Sequence, residues 1–109
     1  MNESPDWYVY IVQCADRSLY TGVTTDLLRR VDEHNNRPSG ARYTRARRPV
    51  RLVYFESSES RACACQREHA LKRLTPAGKR QLISAAARDC QQVLQGIYPD
   101  TMLLSALED

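Results

Sequence analysis

The sequence predicts an α+β fold in which helices flank a three-stranded, mainly antiparallel sheet, with elements in the order β-β-α-β-α-α. Two short runs rich in aromatic and β-branched residues are separated only by a turn, and a third such run follows further along the chain. Segments with helical spacing and good capping residues lie after the second run and after the third. The chain of 109 residues has room for one such domain around one core.

The first two strands are predicted at residues 7–13 (WYVYIVQ) and 18–23 (SLYTGV). Residues 14–17 (CADR) between them supply turn chemistry, and the closeness of the two runs indicates a β-hairpin. The turn lacks the Asp-Gly pair of two-residue hairpins, so we expect a longer loop.

A helix is predicted from about residue 26 to 36. Thr24, Thr25 and Asp26 are all good N-cap residues, and Leu27, Leu28 and Val31 follow with helical spacing. The next segment, 37–49 (RPSGARYTRARRP), contains two prolines and a glycine without periodicity and is predicted to be a basic loop.

The third strand is predicted at residues 51–57 (RLVYFES). Ser57 or Ser58 can cap a second helix that reaches about Leu74. A third helix is predicted to start at Thr75-Pro76, because proline at the first helical position loses no hydrogen bond.

The helical pattern weakens from about Asp89, where Gly96 and Pro99 interrupt it. We therefore predict a domain over residues 1–88 and an acidic, partly helical extension over 89–109. The extension also carries apolar residues that could form a homodimer or cover part of the basic surface: Met102, Leu103, Leu104 and Leu107.

Composition favours a globular protein of the reduced cytoplasm. The chain is 42% hydrophobic and 27% charged, and it has no apolar run near the ~20 residues that a membrane helix needs. The first six residues, MNESPD, do not resemble a secretory signal. The four cysteines show no disulfide framework, and Cys63 and Cys65 point to different sides of a helix, which disfavours a zinc site. We expect a cytoplasmic protein without a membrane anchor.

Positive charge is concentrated in the middle of the chain. Residues 29–51 contain eight basic and two acidic side chains, whereas residues 89–109 contain four acidic side chains and no basic one. A charge run is often only a solvated face, but arginine forks suit phosphate and a tyrosine among them can stack on a base. The candidate nucleic-acid contacts in the basic loop are Arg42, Tyr43, Arg45, Arg47 and Arg48.

Arg30 and His34 stand one turn apart on the first helix, so their side chains point the same way. A helical projection places both beside the apolar stripe of Leu27, Leu28 and Val31, whereas Arg29 falls on the far face. We expect Arg30 and His34 to line a groove at the rim of the core. Each also has an ordinary interpretation, as a surface charge and as a helix-end histidine.

Tyr10 and Tyr20 lie on neighbouring strands of the predicted hairpin and can share a face. Tyrosines in strands are more often packing residues than chemical groups. Their position at the start of the following helix, with Gly22 permitting close backbone approach, favours a functional role.

Glu68 is predicted on the second helix, just beyond an apolar stripe formed by Cys63, Ala64, Ala70 and Leu74. Arg67 falls inside this stripe by the same projection. The ordinary interpretation of Glu68 is an i, i+4 ion pair with Lys72, which is worth about 0.3–0.5 kcal/mol.

Together these residues resemble the GIY-YIG nuclease family, in its small single-domain bacterial branch. The resemblance rests on Tyr8-Val9-Tyr10, Tyr20-Thr21-Gly22 and the order of the five candidate residues, and it spans residues 7–83. The implied catalytic set is Tyr10, Tyr20, Arg30, His34 and Glu68.

The resemblance implies a role for each member of this set. Tyr10 would activate the attacking water or accept its proton, and Tyr20 would position that water or a phosphate oxygen. Arg30 would stabilise charge on the phosphate, and His34 would assist proton transfer. Whether Tyr10 or His34 is the general base stays open, because a free tyrosine has a pKa of about 10.

Glu68 would be the one protein ligand of a divalent metal, Mg²⁺ or Mn²⁺, which keeps several waters and binds readily to one carboxylate and a substrate phosphate. Lys72 and Lys79 are the candidates for further phosphate contacts. We therefore expect a metal-dependent endonuclease that cuts DNA with little sequence specificity and prefers structured or single-stranded sites. The alternative is a nucleic-acid-binding or adaptor protein that keeps the fold without the activity.

Overall fold

The computed structural model describes residues 7–99. Within them the elements are β1 (Trp7–Gln13), β2 (Leu19–Thr24), α1 (Leu27–Asn36), α2 (Arg42–Arg45), β3 (Arg51–Ser58), α3 (Arg61–Lys72), α4 (Pro76–Ser84) and α5 (Arg88–Ile97). The predicted α+β class, the three strands and the flanking helices are confirmed.

The three strands form one antiparallel sheet in the order β2-β1-β3. The central strand β1 is the most deeply buried because it has a neighbour on each side, and its residues Val9 to Val12 are at most 1% exposed. The main core joins these residues to β3 and to Ile83, Cys90 and Leu94 from the C-terminal helices. A smaller cluster packs Val9 against Ala64 and Leu71 of α3.

The β1–β2 turn is longer than two residues, as predicted. Arg17 adopts a φ of 71°, and the Cys14 amide donates to the Ser18 carbonyl over 2.8 Å. The Asp16 carboxylate accepts from the Ser18 amide and hydroxyl, which holds the turn in this shape. The Ala15 amide donates to the Arg47 carbonyl over 2.9 Å, so the turn is tied to the basic loop.

Three helices begin at side-chain caps. Asp26 accepts from the Arg29 amide at the start of α1, and Thr75 accepts from the Gly78 amide at the start of α4, where Pro76 is the first helical residue as predicted. The predicted cap of the second helix at Ser57 or Ser58 is wrong. Strand β3 continues through Ser58, and Ser60 accepts from the Cys63 amide instead.

The four-residue helix α2 in the basic loop was not predicted. The segment after residue 88 was predicted to be only partly helical, and helix α5 begins at Arg88 and contributes Cys90 and Leu94 to the main core. The Tyr98 hydroxyl after α5 accepts from the Leu52 amide over 2.9 Å, which fixes this helix against β3. The division of the chain at residue 88 and the interaction role of the tail stay predictions, and Met102 to Leu107 lie outside the described residues.

Two helical projections were wrong in part. Leu28 of α1 is 61% exposed rather than in the apolar stripe. In α3 the buried face is formed by Ala64 and Leu71, whereas Cys63, Ala70 and Leu74 are exposed. Arg67 is also exposed and pairs with Glu56 over 2.8 Å. The true face of α3 is centred between Leu71 and Glu68, because these residues and Ala64 repeat at helical spacing.

Candidate active site

The side chain of Tyr10 is the centre of the candidate site and is only 1% exposed. Tyr10 pairs across the sheet with Gly22, and its ring lies over that glycine. A Cβ atom on residue 22 would come within 2.5 Å of the Tyr10 hydroxyl oxygen. Glycine is therefore required at this position if the phenol is to keep its place.

The Tyr10 hydroxyl lies 2.7 Å from Nε2 of His34, a side chain that is fully buried. The other ring nitrogen of His34, Nδ1, lies 2.7 Å from the hydroxyl oxygen of Thr44. That hydroxyl donates its proton to the Ala41 carbonyl over 3.0 Å. Since Thr44 has one proton and donates it to Ala41, its oxygen accepts from Nδ1–H of His34.

This chain of hydrogen bonds assigns the tautomer of His34. With the proton on Nδ1, the Nε2 lone pair accepts the proton of the Tyr10 hydroxyl. Thr44 was not among the sequence candidates. It sits in the predicted loop, and nothing in its local pattern marks it as a partner of His34.

Burial keeps both members of the Tyr10–His34 pair neutral. Burial raises the pKa of Tyr10 from 10.0 to about 12, although the nearby Arg30 guanidinium acts in the opposite direction. Burial, together with the positive charge of Arg30, lowers the pKa of His34 from 6.5 to about 4. At neutral pH the imidazole is therefore a free acceptor for the phenol proton.

Arg30 is held beside this pair by two hydrogen bonds from one nitrogen. Nη1 donates to Glu33 Oε1 over 2.8 Å and to the Ser39 carbonyl over 3.0 Å. The side chain stays 25% exposed, so the guanidinium is fixed but reachable from solvent. Arg29 is exposed on the other face of α1, as predicted.

Tyr20 closes the site on the strand β2 side. It lies on the same face of the sheet as Tyr10, because its partner Val12 is two residues from Tyr10. Its ring meets the His34 ring edge-on at 5.4 Å and stacks on the Tyr43 ring at 5.9 Å, measured between centroids. These two ring contacts fix the position of the Tyr20 side chain.

Glu68 lies on the sheet-facing side of α3 rather than beyond its edge, and 22% of its side chain is exposed. It is close enough to Tyr10 for its charge to raise the pKa of that phenol. The predicted pair with Lys72 is present, with Nζ 3.1 Å from Oε2, and the same Nζ lies 6.0 Å from the centre of the Tyr20 ring. The structure thus brings all five candidate catalytic residues to one site.

The basic-loop residues serve different ends. The Arg48 guanidinium donates to three carbonyls at the end of α1, those of Glu33, His34 and Arg37, and so has a structural use. Arg47 pairs with Asp16 over 3.1 Å and lies 3.9 Å above the Tyr43 ring. Arg42, Tyr43 and Arg45 are exposed, and Lys79 borders a cleft beside the site.

The donor chemistry of Glu68 suits a divalent cation. Its carboxylate is an oxygen ligand that already holds the positive charge of Lys72, and Mg²⁺ needs only one or two protein carboxylates beside water and phosphate. Among residues 7–99 no group of three or more His, Cys, Asp or Glu side chains forms a self-contained metal site.

All four cysteines are free thiols. None of the helices within residues 7–99 is long and apolar enough to span a bilayer.

The sequence profile of the GIY-YIG catalytic domain matches residues 6–81 of the chain. A UPF0213 protein of Desulfotalea psychrophila is 55% identical over 86 residues, which cover 79% of this chain and 78% of that protein. A UPF0213 protein of Haloquadratum walsbyi is 57% identical over 75 residues, which cover 69% and 83% of the two chains. The solution NMR structure of a UPF0213 protein from Bacillus halodurans is 40% identical and has a TM-score of 0.49, with 79% of this chain and 92% of that chain covered.

Proposed function

The chain belongs to the GIY-YIG family of catalytic domains, and on that premise we propose that it is a metal-dependent endonuclease that hydrolyses phosphodiester bonds in DNA. The observation that carries the proposal is the hydrogen-bonded series Tyr10–His34–Thr44, with the charges of Arg30 and Glu68 close to Tyr10. The proposal extends to low sequence specificity, with structured or single-stranded DNA preferred.

Tyr10 and His34 supply the proton path in this proposal. The Tyr10 oxygen accepts a hydrogen bond from the attacking water while its own proton faces His34 Nε2. As the water oxygen bonds to phosphorus, its proton passes to Tyr10 and the phenol proton passes to His34 in the same step. The raised pKa of Tyr10 and the lowered pKa of His34 make a separated phenolate–imidazolium pair unfavourable beforehand, so the two transfers occur together.

Arg30 stabilises the charge that builds on the phosphate oxygens. Its guanidinium is already oriented by Glu33 and Ser39, so little reorganisation is needed during the reaction. Tyr20, fixed by its ring contacts, directs its hydroxyl toward the water or a phosphate oxygen. The leaving oxygen takes a proton from solvent when its bond to phosphorus breaks.

Glu68 would hold Mg²⁺ or Mn²⁺, and the cation would neutralise charge on the phosphate as a Lewis acid. Lys72 must then release Glu68, and its ammonium becomes available to the DNA backbone. The exchange is inexpensive because an exposed i, i+4 pair contributes about 0.3–0.5 kcal/mol.

The test is cleavage of labelled single-stranded, duplex and branched DNA by the wild type and by Glu68→Gln, with Mg²⁺, Mn²⁺ or a chelator. We expect Glu68→Gln to lose cleavage in both metals and to bind DNA as tightly as the wild type or more tightly, because a negative charge beside the phosphate is gone. Glu59→Gln, an exposed residue just before α3, is the control and should cut normally.

Full activity of Glu68→Gln would exclude this mechanism. Binding without cleavage by the wild type in either metal would favour the alternative, a nucleic-acid-binding or adaptor protein that keeps the fold. RNA of the same sequences, run in parallel, separates a DNA enzyme from an RNA enzyme.

A further inference from the structure

A cleft of about 510 Å³ lies next to the candidate active site, between the β1–β2 turn and the start of α4. Its volume falls within the range of about 300–1,000 Å³ that is typical of small-ligand sites. The residues that line this cleft are Asp16, Arg17, Ser18, Leu19, Tyr43, Leu74, Pro76, Lys79 and Arg80. Only Tyr43 and Lys79 were sequence candidates, and neither belongs to the five-residue catalytic set.

The walls of the cleft are apolar and open to solvent. Four large hydrophobic side chains are exposed within residues 7–99, and two of them, Tyr43 at 39% and Leu74 at 40%, line this cleft. Leu19 and Pro76 extend the same apolar surface. Tyr43 is held in place by its stacking on Tyr20 and by the Arg47 guanidinium. An open slot with a rigid aromatic side chain suits a flat, partly apolar group.

The rim of the cleft is cationic. Arg80 is oriented by hydrogen bonds to the carbonyls of Arg17 and Pro76, and Lys79 stands beside it on α4. Lys79 has no ion pair with a carboxylate among the described residues, and burial together with the charge of Lys72 lowers its pKa. The carboxylate of Asp16 is already engaged by Ser18 and Arg47. An anion between Lys72 and Lys79 would relieve their repulsion.

The cleft adjoins the candidate catalytic residues through two of its lining side chains. The Tyr43 ring, which lines the cleft, stacks on the Tyr20 ring. The second side chain is Lys79, which is close enough to Lys72 for the charge of Lys72 to lower the pKa of Lys79. Lys72 in turn pairs with Glu68. A strand whose phosphate lies at Tyr20 and Glu68 therefore has the cleft within reach of its neighbouring nucleotide.

We propose that this cleft binds one unpaired nucleobase of a nucleic-acid strand, against the exposed edge of the Tyr43 ring and the side chain of Leu74, while Lys79 and Arg80 contact the adjacent phosphate. A base inside a duplex is paired and stacked on both faces, so only a single-stranded or extruded nucleotide can enter. The placement next to the cut bond rests on the proposed function, but occupation of the cleft by a base does not depend on cleavage.

The first test measures binding without cleavage, using the wild-type protein in a chelator. The probes are a twelve-nucleotide oligothymidylate and a strand of abasic sites with the same number of phosphates. Because the contact of one base with an aromatic side chain contributes about 1–3 kcal/mol, we expect the oligothymidylate to bind about 5- to 150-fold more tightly than the abasic strand. Leu74→Ala should lose most of this preference. Leu28→Ala, the same change at a leucine that is 61% exposed on α1, should keep it.

Base binding and phosphate binding can be tested separately with the variant Lys79→Gln and with small ligands. Lys79→Gln should weaken both strands equally, because it removes a phosphate contact and not a base contact. In amide NMR spectra, thymidine 5′-monophosphate should shift Ser18, Leu19 and Gly78, whereas inorganic phosphate should shift only the amides near Lys79.

Equal affinity of the wild type for the two strands, or equal effects of Leu74→Ala and Leu28→Ala, would overturn the base-binding cleft even if the protein cuts DNA. A base preference that depends on Leu74 in a protein without nuclease activity would uphold the cleft and remove the proposed function. The two failures are therefore distinguishable.

Discussion

Replacement of Thr44 by valine tests the proton path most directly. Thr44 is completely buried, and its hydroxyl accepts from His34 Nδ1–H and donates to the Ala41 carbonyl. Valine has nearly the same shape but no hydroxyl, so the change removes both hydrogen bonds and leaves Nδ1–H without an acceptor in a dry environment. An unsatisfied buried donor costs about 1–3 kcal/mol. For a domain of this size we expect the midpoint of thermal unfolding to fall by roughly 4–20 °C.

The effect on cleavage should be larger than the effect on binding. Without Thr44 nothing fixes the proton on Nδ1, and the tautomer that carries it on Nε2 cannot accept the Tyr10 proton. General-base assistance contributes about 10²- to 10⁴-fold, so the single-turnover rate at saturating DNA should fall by at least about 100-fold while the Kd for DNA stays unchanged. Thr44→Ser restores the hydroxyl and should recover most of the rate.

Thr21→Val is the matched control, because Thr21 is only 2% exposed and its hydroxyl has no hydrogen-bond partner among the described residues. The same substitution there should leave the rate unchanged and keep or increase stability, since it removes an unsatisfied buried oxygen. The imidazole ¹⁵N shifts of His34 report the tautomer without any cleavage assay. A wild type protonated on Nε2, or equal rates for Thr44→Val and Thr21→Val, would refute the assigned proton path.

Arg30→Ala should lower the single-turnover rate by about 100-fold or more, because it removes an oriented charge at the phosphate, whereas Arg29→Ala should cause only a salt-sensitive loss of binding. Equal rate losses in these two variants would contradict the site. The folded-state pKa of His34, about 4, lies below the unfolded value of 6.5, so the unfolded chain binds the proton first as pH falls. The stability that depends on neutral His34 is therefore fully present above about pH 6.5 and is lost toward pH 4. Urea unfolding across this range should show a steeper fall for the wild type than for His34→Gln, and parallel curves would contradict the shift. Arg45→Ala should flatten the log-log salt dependence of DNA binding by about 0.7–0.9, whereas Arg48→Ala should lower stability and leave that slope unchanged.

The sheet and the position of its tyrosines could be predicted because they depend on local patterns. Alternation along strands places Tyr10 and Tyr20 on one face once the hairpin register is set, and the register follows from the short turn between two apolar runs. The start of α4 followed from Thr75-Pro76, whose capping hydroxyl and missing amide act within one turn.

Helix α2 and the bounds of helix α5 could not be predicted because the stability of both helices comes from distant residues. Four residues are too few for a helix to form alone, and α2 is held by Thr44 against His34. Helix α5 is kept in place by the burial of Cys90 and Leu94 against the core. The exposure of Leu28 has a related cause. A helical projection shows which face of α1 is apolar, but it does not show which part of that face the sheet covers.

In the candidate site, too, some residues could be predicted from local spacing, whereas others depend on contacts between distant segments. Spacing and resemblance selected Arg30, His34 and Glu68, and the structure brings these side chains together with the two tyrosines. The tautomer of His34 depends on its hydrogen bond to Thr44, which is ten residues away in a segment without periodicity. Likewise, the structural use of Arg48 depends on carbonyls at the end of α1, so it could not be separated by sequence from its neighbour Arg45.

The contrast in solvent access between the two halves of the site constrains the order of events in the proposed reaction. Tyr10 and His34 are buried and neutral, whereas Glu68 and Lys72 are partly exposed and charged. A phosphate that enters from solvent meets the charged half first, and it reaches the Tyr10 hydroxyl only at the boundary between the halves. Because His34 is shielded from solvent and bonded on both nitrogens, it can receive a proton only through Tyr10. In the proposed reaction, water would therefore be activated only where a phosphate is also stabilised, and this coupling would limit unproductive proton transfer when no DNA is bound.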